Sequence, residues 1–184
     1  MRLHCLSLLE NATVKRGTGI FFLLISVCLW MVLGCTQSRP KVGDPSPRLE
    51  LYDLTGNRVA LPDDLRGKII VLRFWGDCCS YGVNEMSRVE QVCRKYEGKG
   101  LRIVTIHTGR PRKVAAESAS SLKIKVPVLV DPDCSMAKLY GVSELPSTFV
   151  IDRRGVIRAR MTGHLEGPVA PAYEKVVTPL LEQD

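Results

Sequence analysis

No Cys-x-x-Cys pair and no His-x-x-x-His pair occurs in the 184 residues. The first absence removes the ordinary dithiol redox loop. Together the two remove the paired ligand spacing of common metal sites. His107 with Cys78, Cys79 and Cys134 offers soft ligands, but they are scattered, so neither a metal nor a cofactor is expected. No Lys/Arg run is interleaved with aromatics, although the net charge is +7. The basic residues are dispersed, with small clusters at Arg110-Pro111-Arg112-Lys113 and Arg153-Arg154. That pattern describes a solvated basic surface compatible with anionic lipid, and it argues against nucleic acid as a partner. Internal repeats and low-complexity tracts are also missing. The apolar run Ile20 to Gly34 (IFFLLISVCLWMVLG) falls short of the roughly 20 residues that a membrane-spanning helix usually needs.

That run follows Lys15 and Arg16, the order of a charged n-region and an apolar h-region in a secretory signal. It ends in Val32-Leu33-Gly34-Cys35, which resembles the lipobox of bacterial lipoproteins. The resemblance implies cleavage before Cys35 and lipidation of that cysteine. Residues 1–34 are then a lipoprotein signal peptide, 35–42 a linker and 43–184 the folded domain, with a net charge of about +5. A domain of this size can bury a well-packed core. The expected location is the bacterial cell envelope, lipid-anchored to a membrane, with the domain facing the periplasm or exterior. Thiols there meet an oxidising environment. Cys78, Cys79, Cys93 and Cys134 remain in the domain, and the sequence alone does not choose among their pairings.

Periodicity predicts an α/β domain. Arg48 to Leu54 and Arg58 to Leu61 flank Thr55-Gly56-Asn57 as a hairpin. Lys68 to Trp75 (KIIVLRFW) is a nearly continuous apolar strand of the kind covered on both faces. Met86, Val89, Cys93 and Tyr96 follow helical spacing across Val83 to Tyr96, which makes Cys93 a core residue. Strands follow at Leu101 to His107, Val126 to Asp131, Ser147 to Asp152 and Val156 to Met161. Helices are expected at Lys113 to Leu122, Cys134 to Tyr140 and Pro168 to Leu181. The alternation argues for a mainly parallel sheet. Trp75, His107 and Asp131 then end three strands on one edge, where reaction sites are favoured. Cys79, His107 and Cys134 fall on that side.

The loop Phe74-Trp75-Gly76-Asp77-Cys78-Cys79-Ser80-Tyr81-Gly82-Val83-Asn84-Glu85 lies where strand gives way to helix. It resembles the loop of the TlpA/ResA group of membrane-anchored thioredoxin-like proteins, within the wider redoxin superfamily that includes the peroxiredoxins. That loop reads roughly F-W-x-x-W-C-x-x-C-x-x-E. Phe74, Trp75, Cys79 and Glu85 match in register; Cys78 replaces the second Trp and Gly82 the second Cys. Tyr140-Gly141-Val142, Leu145 to Asp152, Gly155, and Leu61 with Asp64 to Lys68 match further motifs of the group in order. The resemblance implies a thioredoxin-like fold: a mixed central sheet flanked by helices, with an N-terminal β-hairpin. It also implies a cis peptide bond at Pro146, and substrate binding at Leu145, Pro146 and Trp75.

The implied activity is extracytoplasmic thiol–disulfide exchange with Cys79 as nucleophile. The thiolate is the reactive form, and a helix N-terminus stabilises it. With Gly82 in place of the second cysteine the site is monothiol, Cys-x-x-Gly. Release of a mixed disulfide then needs Cys78, Cys134 or an external thiol, and all three routes stay open. Implied partners are cysteine-containing exported proteins such as apocytochromes c, and a membrane thiol reductase as electron donor. Arg73 stands where thioredoxins carry a buried acid; it either approaches Cys79 or points to solvent. Glu85 is either the group's helix acid or a surface charge. Two other functions compete. A peroxiredoxin-like thiol peroxidase would want Thr or Ser three residues before its cysteine, where Gly76 precedes Cys79 and Trp75 precedes Cys78. A non-catalytic peptide-binding module would need neither Cys79 nor Pro146.

Overall fold

The computed structural model describes residues 39–77, 82–163 and 168–183. The expected signal peptide and lipidated Cys35 lie outside the described residues, as do Cys78 and Cys79. Among the described residues no helix is long and apolar enough to cross a membrane.

One wholly buried strand anchors the architecture. In β3 (Ile69–Trp75) every side chain is buried, so it must lie inside a sheet covered on both faces. It pairs in parallel with β4 (Leu101–Thr108), which pairs in parallel with β5 (Val128–Asp131). On its other side it runs antiparallel to β6 (Ser147–Ile151), which forms a hairpin with β7 (Ile157–Thr162). β1 (Leu49–Asp53) and β2 (Arg58–Leu61) form the expected N-terminal hairpin, and β1 adds antiparallel to β5. The order is β2-β1-β5-β4-β3-β6-β7. The sheet is therefore mixed; among the described strands only β3–β4 and β4–β5 pair in parallel, fewer than the strand–helix alternation suggested.

Side chains alternate across the sheet. Ile70, Leu72, Phe74, Val104, Ile106, Leu129, Phe149 and Ile151 form one face. It is closed by Ala137 of the short helix α3 (Ser135–Leu139) and by Tyr140. Phe74, Tyr140 and Phe149 pack as an aromatic trio with centroids 5.1–5.9 Å apart; Phe149 meets both other rings edge to face. The Tyr140 hydroxyl donates to the Pro47 carbonyl at 2.7 Å, which ties the leading segment to this face. On the opposite face Ile69, Val71, Leu101, Ile103 and Val150 meet two helices. These are α1 (Gly82–Tyr96), through Val89, Val92 and Cys93, and α4 (Val169–Leu181), through Tyr173, Val177 and Leu180. α2 (Arg112–Ser121) places Ala119 in a smaller cluster with Trp75, Met86 and Val128.

Candidate active site

Register alone brings the chemistry to one edge. Successive cross-strand pairs on the α1 face read Ile69–Leu101, Val71–Ile103, Arg73–Thr105 and Trp75–His107. The face thus turns from apolar to polar toward the C-terminal ends of β3 and β4, where the Cys78-Cys79 loop begins.

Arg73 does not reach solvent. It is 2% exposed, and its Nη2 lies 3.1 Å from Glu85 Oε1, itself on a buried residue of α1. Arg73 Nη1 donates to Thr148 Oγ1 at 3.0 Å and to the Tyr173 hydroxyl at 2.8 Å. Thr148 and Tyr173 are themselves bonded at 2.8 Å. Burial pushes the Tyr173 phenol up, more strongly than the neighbouring guanidinium pulls it down. Glu85 is accordingly a buried member of a network joining β3, α1, β6 and α4, and not a surface charge. A buried pair of this kind is costly to break, because the remaining charge loses its counter-charge in a low-dielectric setting.

One row further on, Trp75 and His107 meet edge to face with centroids 4.6 Å apart. His107 is fully buried, and its Nε2 lies 3.0 Å from Asp77 Oδ1. The Ser118 hydroxyl donates to the same oxygen at 2.6 Å, and Arg110 Nε lies 3.4 Å from Oδ2. The Ser118 bond first, and then the His107 bond, hold the Asp77 carboxyl below the usual carboxylate range. Asp77 is the residue before Cys78, so this cluster fixes the chain where the cysteine loop begins. Sequence reasoning placed His107 on the correct edge but missed Asp77, Arg110 and Ser118. The Asp77 and Ser118 positions are 41 apart and no motif links them.

The peptide bond before Pro146 is cis, as the resemblance implied, and so is the one before Pro62. Gly76 packs directly against this loop. A Cβ at position 76 would lie 3.3 Å from Leu145 Cδ1 and 3.4 Å from the Thr108 carbonyl oxygen. The residue three before Cys79 is therefore confined, and a hydroxyl-bearing side chain there would crowd Leu145. Gly76, two positions before Cys78, thus lies beside Leu145. Gly82, at the position of the missing cysteine, is the first residue of α1.

Cys134 lies at the same edge. It takes a left-handed conformation with φ of 60° just before α3, and its Sγ lies 3.4 Å from where a Gly109 Cβ would stand. Gly109, with φ of +81° and the close sulfur, suits glycine on both counts. The Cys134 thiol is half-buried and free, and Cys93 is buried and free. Burial first, and the Glu90 carboxylate second, push the Cys93 thiol up to about 12, consistent with its reading as core. Among the described residues no group of three His, Cys, Asp or Glu could hold a metal ion.

The sequence matches the AhpC/TSA family over residues 42–160. It is similar to the thiol-disulfide oxidoreductase ResA of Geobacillus thermodenitrificans, with 32% identity over 122 residues covering 66% of this chain and 70% of that one. The Bacillus subtilis protein of the same name is 27% identical over 165 residues, 88% of this chain and 92% of its own. Among solved structures, a Chlorobium tepidum protein assigned as thiol:disulfide interchange protein DsbE superposes with a TM-score of 0.71 at 27% identity. That match covers 77% of this chain and 99% of the other, and the shared fold is thioredoxin-like.

Proposed function

This chain belongs to the AhpC/TSA family as a ResA-like thiol–disulfide oxidoreductase, and from that premise we propose that it exchanges disulfides outside the cytoplasm through a single loop thiol, Cys79. The observation that carries the reading is the packing of Gly76 on Leu145, next to the cis bond at Pro146. Gly76 stands three positions before Cys79, and an extended peptide adding to the Leu145 backbone would present its sulfur to that loop. The Cys-x-x-Gly sequence makes the exchange monothiol. Cys134, on the same sheet edge, and Cys78 are the internal thiols available for release. Exported proteins with cysteine pairs, apocytochromes c among them, are the substrates we propose, with a membrane thiol reductase restoring the thiol. Cys35 supplies the lipid anchor.

The test is a mass measurement on the full chain after incubation with a disulfide-bonded peptide. A mixed disulfide at Cys79, absent from Cys79→Ser, is the expected result. No adduct on the unaltered chain would end the reading. Oxidation of Cys79 by hydrogen peroxide without any peptide adduct would turn the assignment to a peroxidase.

A further inference from the structure

The segment that leads into the domain is a fixed part of it from the buried Pro40 onward. Gly43 N–H donates to the Ile157 carbonyl at 2.8 Å, and Ile157 N–H to the Asp44 carbonyl at 3.0 Å. The segment therefore straps onto the start of β7, an edge strand of the sheet. Ser46 N–H adds a bond to the Gly155 carbonyl at 2.8 Å, and Ser46 Oγ lies 2.8 Å from the Tyr140 hydroxyl. Upstream, the stem of Arg39 lies across Gly141, where a Cβ would stand 2.8–2.9 Å from Arg39 Cβ, Cγ and Cδ. Positive charge gathers around this strap. Arg160 Nη2 donates to the Gly141 carbonyl at 2.8 Å, and Gly141 N–H to the Lys138 carbonyl at 2.9 Å. Arg39, Lys41 and Lys138 are exposed, and Arg160 is half-buried. These cations outnumber the nearby acids. Asp44 takes the Lys41 N–H at 2.8 Å, Glu144 lies against Gly163, and Asp152 is matched by Arg158 at 2.7 Å. Between Lys41 and Asp44 the chain turns, with Asp44 N–H on the Lys41 carbonyl at 3.1 Å and Gly43 at a φ of +100°. That turn carries Val42, 59% exposed, between the cations.

We propose that the strap and the Gly141 turn form the surface by which the domain lies on an anionic membrane, with Val42 entering the headgroup layer and Arg39, Lys41, Lys138 and Arg160 meeting lipid charge. This rests on the reading that the chain is anchored at Cys35. The length of the tether selects this face. Cys35 and Arg39 are four positions apart, so even a fully extended chain holds Arg39 within about 14 Å of the anchor. Thr36, Gln37 and Ser38 between them carry no charge to oppose contact. An anionic leaflet attracts such cations within about a Debye length, 8–10 Å, of its surface. An apolar side chain among cations is the composition that interfacial segments present to lipid. A freely tethered domain would tumble, whereas a strap bonded to β7 transmits the orientation of its own turn to the whole sheet. Gly141 and Leu145 are also four positions apart, so the loop that carries the cis bond at Pro146 stays within about 14 Å of the same surface. Substrate and reductant would then be met close to the membrane, and not at the far pole of the domain.

The experiment is acylation of lysines by a water-soluble succinimidyl ester, followed site by site from fragment masses. The full chain is first inserted from detergent into preformed vesicles of phosphatidylcholine, alone or mixed with phosphatidylglycerol, and floated. On the mixed vesicles Lys41 and Lys138 should react several-fold more slowly than on phosphatidylcholine alone. Exposed Lys113 of α2 and Lys175 of α4 should keep one rate throughout. Salt at about 0.5 M should abolish the difference by screening. Arg39→Gln removes one exposed cation and should cut the protection about fivefold. Val42→Asp should cut it as well, and Arg88→Gln, at an exposed position on α1, should leave it intact. Equal rates for Lys41 and Lys138 in both lipids, or protection of Lys113 and Lys175 in their place, overturns the proposal. Arg88→Gln acting as strongly as Arg39→Gln overturns it too, since net charge and not this surface would then govern the contact. If the chain floats and the rates are equal, this inference fails and the anchor reading survives; a chain that floats with neither vesicle removes the anchor reading and this inference with it.

Discussion

Arg73 lies between Leu72 and Phe74, both wholly buried, and its guanidinium is enclosed by α1, β6 and α4. Arg73→Ala would leave Glu85 buried without its counter-charge, a loss of about 3–5 kcal/mol that urea denaturation would measure. Replacing both partners, as Arg73→Met with Glu85→Leu, should cost much less, because no charge is then stranded. The sequence offered two orientations for Arg73 and could not choose. The deciding partners, Thr148 and Tyr173, stand 75 and 100 positions away. Asp77 escaped notice for the same reason. Cys93 was legible, since helical spacing set it on the apolar face of its helix. Its buried thiol, pushed up to about 12, should resist alkylation in the folded chain while half-buried Cys134 reacts. A mass count of adducts before and after adding denaturant would check both.

Helices and strands began close to the expected residues wherever glycine, proline or a change of period marked the boundary. β5 is an instructive exception. It was expected from Val126 but starts at Val128, because Pro127 has no N–H for the ladder and gives its carbonyl to Thr105 instead. α3 was expected from Cys134, and what starts it is Asp131. That buried carboxylate accepts from the backbone N–H groups of Met136 at 3.2 Å and Ala137 at 2.9 Å. Five residues cannot hold a helix by their own bonds, so the cap is structural. Asp131→Ala should cost about 2 kcal/mol, read as a lowered denaturation midpoint. A cap from the end of a strand three residues upstream has no sequence signature, because it needs the strand and helix already docked.

The alternation of strands and helices made the class of the molecule readable, and the motif order made the fold readable. The antiparallel flanks, and the docking of β1 beside β5, emerge only when the two hairpins seek edges of the sheet. Acid behaviour belongs to the whole molecule. In Asp77, bonds from Ser118 and His107 lower the carboxyl; in Asp53 the Thr55 hydroxyl leads in bringing it down to about 2. In Asp152 burial is the largest single influence and raises the carboxyl. Bonds from Val156, Arg158 and Arg154 together outweigh it, and the net shift is downward. Folded values below unfolded ones mean that the unfolded chain takes up protons first as pH falls. Their stabilisation is complete above about pH 5 and is lost progressively from about pH 4 downward. Thermal midpoints measured between neutral pH and about pH 2 should be flat and then fall.

The two faces of the sheet are unequally roofed: α1 and α4 span one, while the five-residue α3 and the Tyr140 turn close much of the other. Local unfolding follows such differences. Deuterium should enter the amides of α3 well before those of β3 or the buried turns of α1, through an opening too small to count as denaturation. Cys134, at the hinge of that opening, would be periodically presented to solvent by breathing of the native chain alone.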